Sequence, residues 1–310
     1  MCRSMTATGG RSLGWSIVPP TDSPDVPLRA VLHDASSALS AAGILDPSVD
    51  VELLAAHILE TSRGGVQAAA IRGDHVDAEF LSAFEAAVLR RVAREPLQHI
   101  TGTAPFRTLT LRVGPGVFVP RPETETVAQF AIDALRTVPA SSPLAVDLCT
   151  GSGAIALALA AEVPHALVIG VEKYDDAFRW ASTNAVELGL ANVQIIQGDL
   201  VDALPGYEGT VDVVISNPPY VPDDAIPRDP EVRLFDPPTA LYGGADGLDL
   251  VRALSITALR LLRPGGTLVI EHGEWQGAPI RELLTADGWR AAATHPDLTR
   301  RDRATTALRP

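Results

Sequence analysis

Leu144-Ala145-Val146-Asp147-Leu148-Cys149-Thr150-Gly151-Ser152-Gly153 is the stretch that decides how this chain folds. Its first five residues run apolar, apart from one acid, without the alternation of a half-exposed strand. That pattern predicts a strand covered by helices on both faces. The glycines mark the point where this strand runs into a helix, and they let the backbone approach a ligand closely. Outward from this stretch, short apolar runs recur at 166–171, 193–196, 211–215 and 267–270, with helical stretches near 154–161, 176–188 and 248–262. Strand and helix in alternation predict a doubly wound, Rossmann-like α/β sheet. Residues 290–294 and 304–308 read as two strands with no helix between them, a terminal antiparallel hairpin.

Upstream the period changes. From Leu28 to about Arg94 apolar residues recur at helical spacing, as in Leu28, Val31, Leu32, Ala35 and Leu39, then Leu53, Leu54, His57 and Ile58, then Phe80, Phe84 and Val88. This predicts a small helical bundle, with Gly43 closing the first helix, Asp50 and Asp77 capping the second and the last, and Pro96 just past the end. Between Thr103 and Val119 the alternation of Leu109, Leu111 and Val113, with Gly114-Pro115-Gly116 as the turn, predicts a hairpin. A helix from about Glu123 to Arg136 and a turn-rich connector at 138–143 follow. The expected division is a disordered leader over 1–27, a helical domain over 28–100, a linking hairpin over 101–122 and the α/β domain over 123–310.

With 310 residues, 46% of them hydrophobic, the chain can fill one large core and a smaller one. Its two cysteines, Cys2 and Cys149, support neither a disulfide framework nor a cysteine metal site, and they fit a reducing cytoplasm. The seven histidines lack metal-ligand spacing, so no metal is expected. Residues 1–27 hold no apolar run long enough for a signal peptide or a membrane span. The formal net charge of −13 disfavours loose or stable binding to nucleic acid, which needs clustered Lys and Arg to neutralise phosphates.

The Asp147–Gly153 loop is the candidate cofactor loop, through Asp147, Cys149, Thr150, Gly151, Ser152 and Gly153. An ordinary strand-to-helix turn can show the same glycine spacing, and Gly151-x-Gly153-x-x-Ala156 also fits a variant dinucleotide fingerprint. Asp147 argues against a pyrophosphate, because an acid entering the loop suits a cationic amino-acid moiety better. Glu172 ends the second strand 19 residues after Gly153, where an acid can accept from both ribose hydroxyls; beside Lys173 it also reads as a solvated acid. After the third strand, Asp199 can accept from an adenine amine and Leu200 can pack on the ring, although an Asp there is often only a turn former.

Asn217-Pro218-Pro219-Tyr220 follows the fourth strand, at the expected switch point of the sheet. The prolines fix the backbone and leave carbonyls without a competing local donor. Asn217 Oδ1 and the Pro218 carbonyl can then accept the two hydrogens of a substrate –NH2 group, turning its nitrogen toward a methyl sulfonium, while Tyr220 packs on the planar group. Arg121 and Glu123 can close over the cofactor or form a structural ion pair. His272, in Glu271-His272-Gly273 after the fifth strand, reads as a hydrogen-bonded structural residue.

Together, Glu95–Gly102, Pro120-Arg121-Pro122-Glu123-Thr124-Glu125, Cys149–Gly153 with Ala154–Leu157, and Asn217–Tyr220 resemble the HemK/PrmC family of protein-(glutamine) methyltransferases, from about Leu28 to the C-terminus. The resemblance implies a class I S-adenosyl-L-methionine-dependent fold and a helical N-terminal domain that helps grip peptide chain release factors. It further implies methylation of the glutamine side-chain amide in their Gly-Gly-Gln loop. Cys149–Gly153, Glu172, Leu200 and Asn217 would contact the cofactor, and Asn217–Tyr220, Pro219 included, would hold the glutamine. Cys149 stands where the family usually has Gly, Glu172 where it more often has Asp, and Leu200 at a position that can be aromatic. Two alternatives from the residues alone are a methyltransferase for exocyclic amines of adenine or guanine in nucleic acid, and a cofactor-binding module without catalysis.

Overall fold

The structure, a computed structural model, describes residues 25–310; the leader expected over 1–27 lies outside them up to residue 24. The chain forms two compact units divided between Thr101 and Gly102. In the first, β1 (Val26–Pro27) precedes α1 (Leu28–Ala41), α2 (Pro47–Ile58), α3 (Arg63–Arg72), β2 (His75–Val76), α4 (Ala78–Val92) and α5 (Leu97–Thr101). The helical periodicity is physical: Leu28, Val31, Ala35 and Leu39 share one buried stripe of α1 and meet Leu54, Phe80, Phe84 and Val88 in one core. Val26 and Pro27 pair with Val76 and His75, so the end of the expected leader is a strand. Asp77 caps α4 by accepting from Phe80 N at 2.9 Å. Asp50 does not cap α2. Pro47 starts that helix earlier, behind Asp46, and the Asp50 carboxylate instead takes Arg91 Nε at 2.7 Å. The sequence pattern missed α3, whose first turn holds Gly64-Gly65 and which buries only Val66.

The second unit opens with the hairpin β3 (Thr103–Phe106) and β4 (Leu109–Arg112) and continues with α6 (Pro122–Thr137), β5 (Leu144–Leu148), α7 (Ala154–Glu162), β6 (Leu167–Glu172), α8 (Asp175–Leu188), β7 (Val193–Gln197) and β8 (Val211–Ser216). Then come α9 (Pro230–Phe235), α10 (Asp249–Leu261), β9 (Leu262–Glu271), α11 (Gly277–Ala286), β10 (Arg290–Pro296) and β11 (Asp302–Leu308). The hairpin turns at Arg107-Thr108 and not at Gly114-Pro115-Gly116. Arg107 holds φ +53 because Glu125 accepts from its backbone N–H at 2.9 Å and Gln129 and Glu162 take its guanidinium. Gly114 answers to packing instead: a Cβ there would stand 2.6 Å from Trp180 Cζ2.

The seven-stranded sheet has the order β7-β6-β5-β8-β9-β11-β10. Strands β5 to β9 are parallel, and β11 inserts antiparallel between β9 and β10. Alternation sorts the side chains: Val213 and Ile215 join one core with α6 and α7, whereas Val214 joins another with α10 and α11. The chain runs from β5 outward through β6 to β7 and then returns to β8 on the other side of β5. That reversal opens a crevice between β5 and β8, at the C-terminal ends where Cys149 and Asn217 follow.

Candidate active site

Strand β5 delivers the loop, and Asp147 organises it from below. Its side chain is fully buried, with Oδ2 accepting from Thr150 Oγ1 at 2.5 Å and from Ala156 N at 3.1 Å. It does not line the cavity above, which corrects the expected contact with a cationic ligand group. Burial pushes its pKa up to about 7, against the pull of the Thr150 and Ala156 hydrogen bonds. Gly153 is also off the cavity wall; it lets the start of α7 approach α8, since a Cβ there would lie 3.4 Å from Ala181 Cα on α8. Cys149, Thr150, Gly151 and Ser152 do line the cavity, and Cys149 holds φ +63 without being glycine. Burial pushes the Cys149 thiol up, and the nearby Glu172 and Asp147 charges push it the same way.

Glu172 faces the loop across the cavity from the end of β6. It is 5% exposed, and each carboxylate oxygen accepts one backbone N–H: Oε2 from Gly151 at 2.8 Å, Oε1 from Tyr174 at 2.9 Å. Burial raises its pKa, while those donors lower it. Each oxygen keeps acceptor capacity on the cavity side. Asp199, after β7, is held at 2.8 Å by Lys173 Nζ, which lowers its pKa, and Leu200 is buried beside it on the same wall. The cavity encloses about 280 Å³ and continues to Asn217, Pro219 and Tyr220.

Asn217–Tyr220 is gripped from behind. Ser216 Oγ donates to the Leu148 carbonyl at 2.6 Å, locking the end of β8 to that of β5. Val221 N donates to Leu241 O and Gly243 N to Val221 O, laying the segment after α9 along the motif. The approach is so close that a Cβ on Gly243 would stand 2.4 Å from Pro219 O, and one on Gly247 2.2 Å from Tyr220 O. Gln276 Nε2 donates to the Tyr220 carbonyl at 2.9 Å. Pro218 is buried and, unlike Asn217, Pro219 and Tyr220, does not line the cavity; among the described residues its carbonyl accepts no hydrogen bond.

Several residues at this site were not singled out by the sequence. Glu271, at the end of β9, is 1% exposed and lies near Thr124 and Asn217; burial pushes its pKa up to about 7, against the pull of Thr124, the Arg303 charge and Asn217. Arg303 lies beside Tyr220 and Glu123, and burial with the nearby Glu271 charge pushes the Tyr220 phenol up. The available signal was a lone acid ending an otherwise apolar strand. Arg121 forms an ion pair, with Asp236 at 2.7 Å, while its guanidinium lies 4.9 Å over the Phe118 ring. The Asp236 side chain is fully buried and its pKa is pushed up to about 6, with Arg121 pulling it back. His272 is structural, its Nδ1 against Gly273 O at 2.8 Å and Nε2 against Thr305 Oγ1 at 2.9 Å. Among the described residues no helix is long and apolar enough to cross a membrane.

Known proteins share this plan. The family described as PrmC N-terminal domain matches residues 30–102, and the Methyltransferase domain family matches residues 144–295. The chain is 49% identical over 282 residues to the release factor glutamine methyltransferase of Streptomyces coelicolor, covering 90% of this chain and 97% of that one. With the protein of the same name from Mycolicibacterium smegmatis it shares 44% identity, covering 91% and 98%. A 4-amino-L-phenylalanine/4-methylamino-L-phenylalanine methyltransferase of Streptomyces pristinaespiralis is 41% identical, covering 91% and 95%. The chain belongs to the release factor glutamine methyltransferase family.

Proposed function

We propose that this chain methylates the side-chain amide nitrogen of the glutamine in the Gly-Gly-Gln loop of peptide chain release factors, in the cytoplasm. The observation that carries the reading is Asn217 on the cavity wall, next to the free Pro218 carbonyl and across the crevice from the Cys149–Ser152 loop. S-adenosyl-L-methionine supplies a methyl group on a sulfonium sulfur, and the donor set fits it. Glu172 offers two oxygens, spaced for the vicinal ribose hydroxyls, and Leu200 offers an apolar wall for adenine. Asp199, already paired with Lys173, keeps acceptor capacity for the adenine amine.

An amide nitrogen is a poor nucleophile because its lone pair is delocalised. Asn217 Oδ1 and the Pro218 carbonyl accept its two N–H hydrogens, draw density onto it and aim it along the line of transfer. Tyr220 packs on the planar amide. Bound cofactor would give up its methyl group to that nitrogen and keep the bond electrons on sulfur, and the nitrogen would shed one proton to solvent. The helical first unit helps grip the release factor, and no stable binding of nucleic acid is expected at a net charge of −13.

The test is incubation with methyl-labelled cofactor and either a release factor or its Gln-to-Ala loop variant, with ribosomal RNA, DNA and 4-amino-L-phenylalanine alongside. Label on the release factor, lost in the loop variant, is expected. Label only on nucleic acid or on the aromatic amine overturns the reading, and no transfer to any of them would leave a binding module.

A further inference from the structure

We infer that Glu271 is a positioning residue, which accepts a hydrogen bond from Asn217 Nδ2 and so locks the Asn217 amide with Oδ1 turned toward the substrate –NH2 group. The inference rests on the proposed role of Asn217. The two ends of an asparagine amide have nearly the same shape but opposite hydrogen-bonding character. Turned the wrong way, Asn217 would present its own NH2 to the substrate NH2, donor against donor. A carboxyl neighbour removes the ambiguity, because only Nδ2 can donate to a carboxylate oxygen.

The fold puts that neighbour in place. The parallel β8–β9 ladder ends with Ser216 opposite Ile270, so Asn217 and Glu271 are the next residues on adjacent strands. Glu271 follows Leu268, Val269 and Ile270, all fully buried, and is itself 1% exposed. A carboxyl at such a place is costly unless hydrogen-bonding partners compensate it. Thr124 from α6 and Asn217 are polar groups near it, with Arg303 from β11 supplying positive charge, and the Thr124 hydroxyl is itself buried without a hydrogen-bond partner among the described residues. Its Oε2 retains open acceptor capacity among the described residues. The orientation does not depend on the charge of Glu271: protonated, it donates to Thr124 Oγ1 and still accepts from Asn217 through its other oxygen.

Full-length Glu271→Leu is expected to lower kcat about 100-fold, the scale for losing one positioned polar group, with the release factor KM and the cofactor Kd each within about twofold. Glu271→Gln should keep at least about a third of kcat, since its Oε1 accepts from Asn217 while its NH2 donates to Thr124 Oγ1. In an Asn217→Ala background, Glu271→Leu should cost no more than about twofold, because the group it orients is gone. Equal losses in both backgrounds, an inactive Glu271→Gln, or an unimpaired Glu271→Leu would each overturn the inference. Should Glu271→Leu not fold, NMR of the wild-type protein decides. Asn217 amino protons protected from water exchange support the lock, and exchange as fast as in exposed asparagines refutes it. An unimpaired Asn217→Ala would instead overturn the proposed function itself.

Discussion

Glu172→Gln separates a ribose-binding residue from a loop brace. The two Glu172 oxygens each hold a backbone N–H, from Gly151 at 2.8 Å and from Tyr174 at 2.9 Å. Glutamine has one acceptor oxygen, so its NH2 must face one of these donors, which leaves one buried N–H unsatisfied at about 1–3 kcal/mol. The same NH2 can no longer accept from a ribose hydroxyl. A hydrogen bond to a charged group contributes about 1.5–3 kcal/mol, which at about 1.4 kcal/mol per tenfold is roughly 10- to 150-fold in Kd. Calorimetric titration of S-adenosylhomocysteine against both proteins should show that weakening, and urea unfolding of the free proteins reports the loop cost separately. An analogue lacking one ribose hydroxyl makes the test specific: the wild type should lose affinity for it, and the variant should lose far less. If both proteins lose the same factor, or if the Kd values of the parent ligand agree within about threefold, Glu172 does not hold the ribose.

Asn217→Ala should lower kcat by about two orders of magnitude while leaving cofactor binding and melting temperature near wild type; near-normal turnover would mean that the amide is held elsewhere. Asp147, raised to about 7 in the folded chain, keeps a proton that the unfolded chain releases near its ordinary pKa of 3.8. The unfolded state therefore binds fewer protons through that window, and stability falls as pH rises from about 4 to about 7. Asp147→Asn keeps one oxygen for Thr150 and Ala156 and should remove up to about 1.4 kcal/mol per pH unit of that slope. Urea unfolding between pH 4.5 and 7.5 checks this, and an unchanged slope refutes it. At Cys149, with φ +63, glycine should relieve about 1–2 kcal/mol of strain against about 0.4–1 kcal/mol of added chain entropy in the unfolded state. Cys149→Gly should therefore melt above Cys149→Ala, the reverse of the helix-interior order, and the opposite ranking would show that the strain is absorbed by the surrounding loop.

What the sequence by itself determined is whatever repeats along the chain or sits within a few residues. The apolar runs gave the parallel strands, because both faces of those strands are covered. The glycines after Leu148 gave the loop, and Glu172 and Asn217 were legible because one ends and the other directly follows a strand whose position was already set. The tertiary structure alone decided which side of a loop a side chain takes and which distant residues meet. Asp147 points beneath its loop because Thr150 Oγ1 and Ala156 N wait there. Arg107 takes a left-handed turn in place of the expected glycines because α6 and α7 supply its acceptors. Thr124, Glu271 and Arg303 lie on three different elements and Asn217 follows a fourth, and only the order β8-β9-β11 with α6 against it brings them together. Periodicity records whether a residue faces the core or solvent, but not which element lies opposite it. The polar partners behind Asn217 are set by strand order and register, which local sequence does not encode.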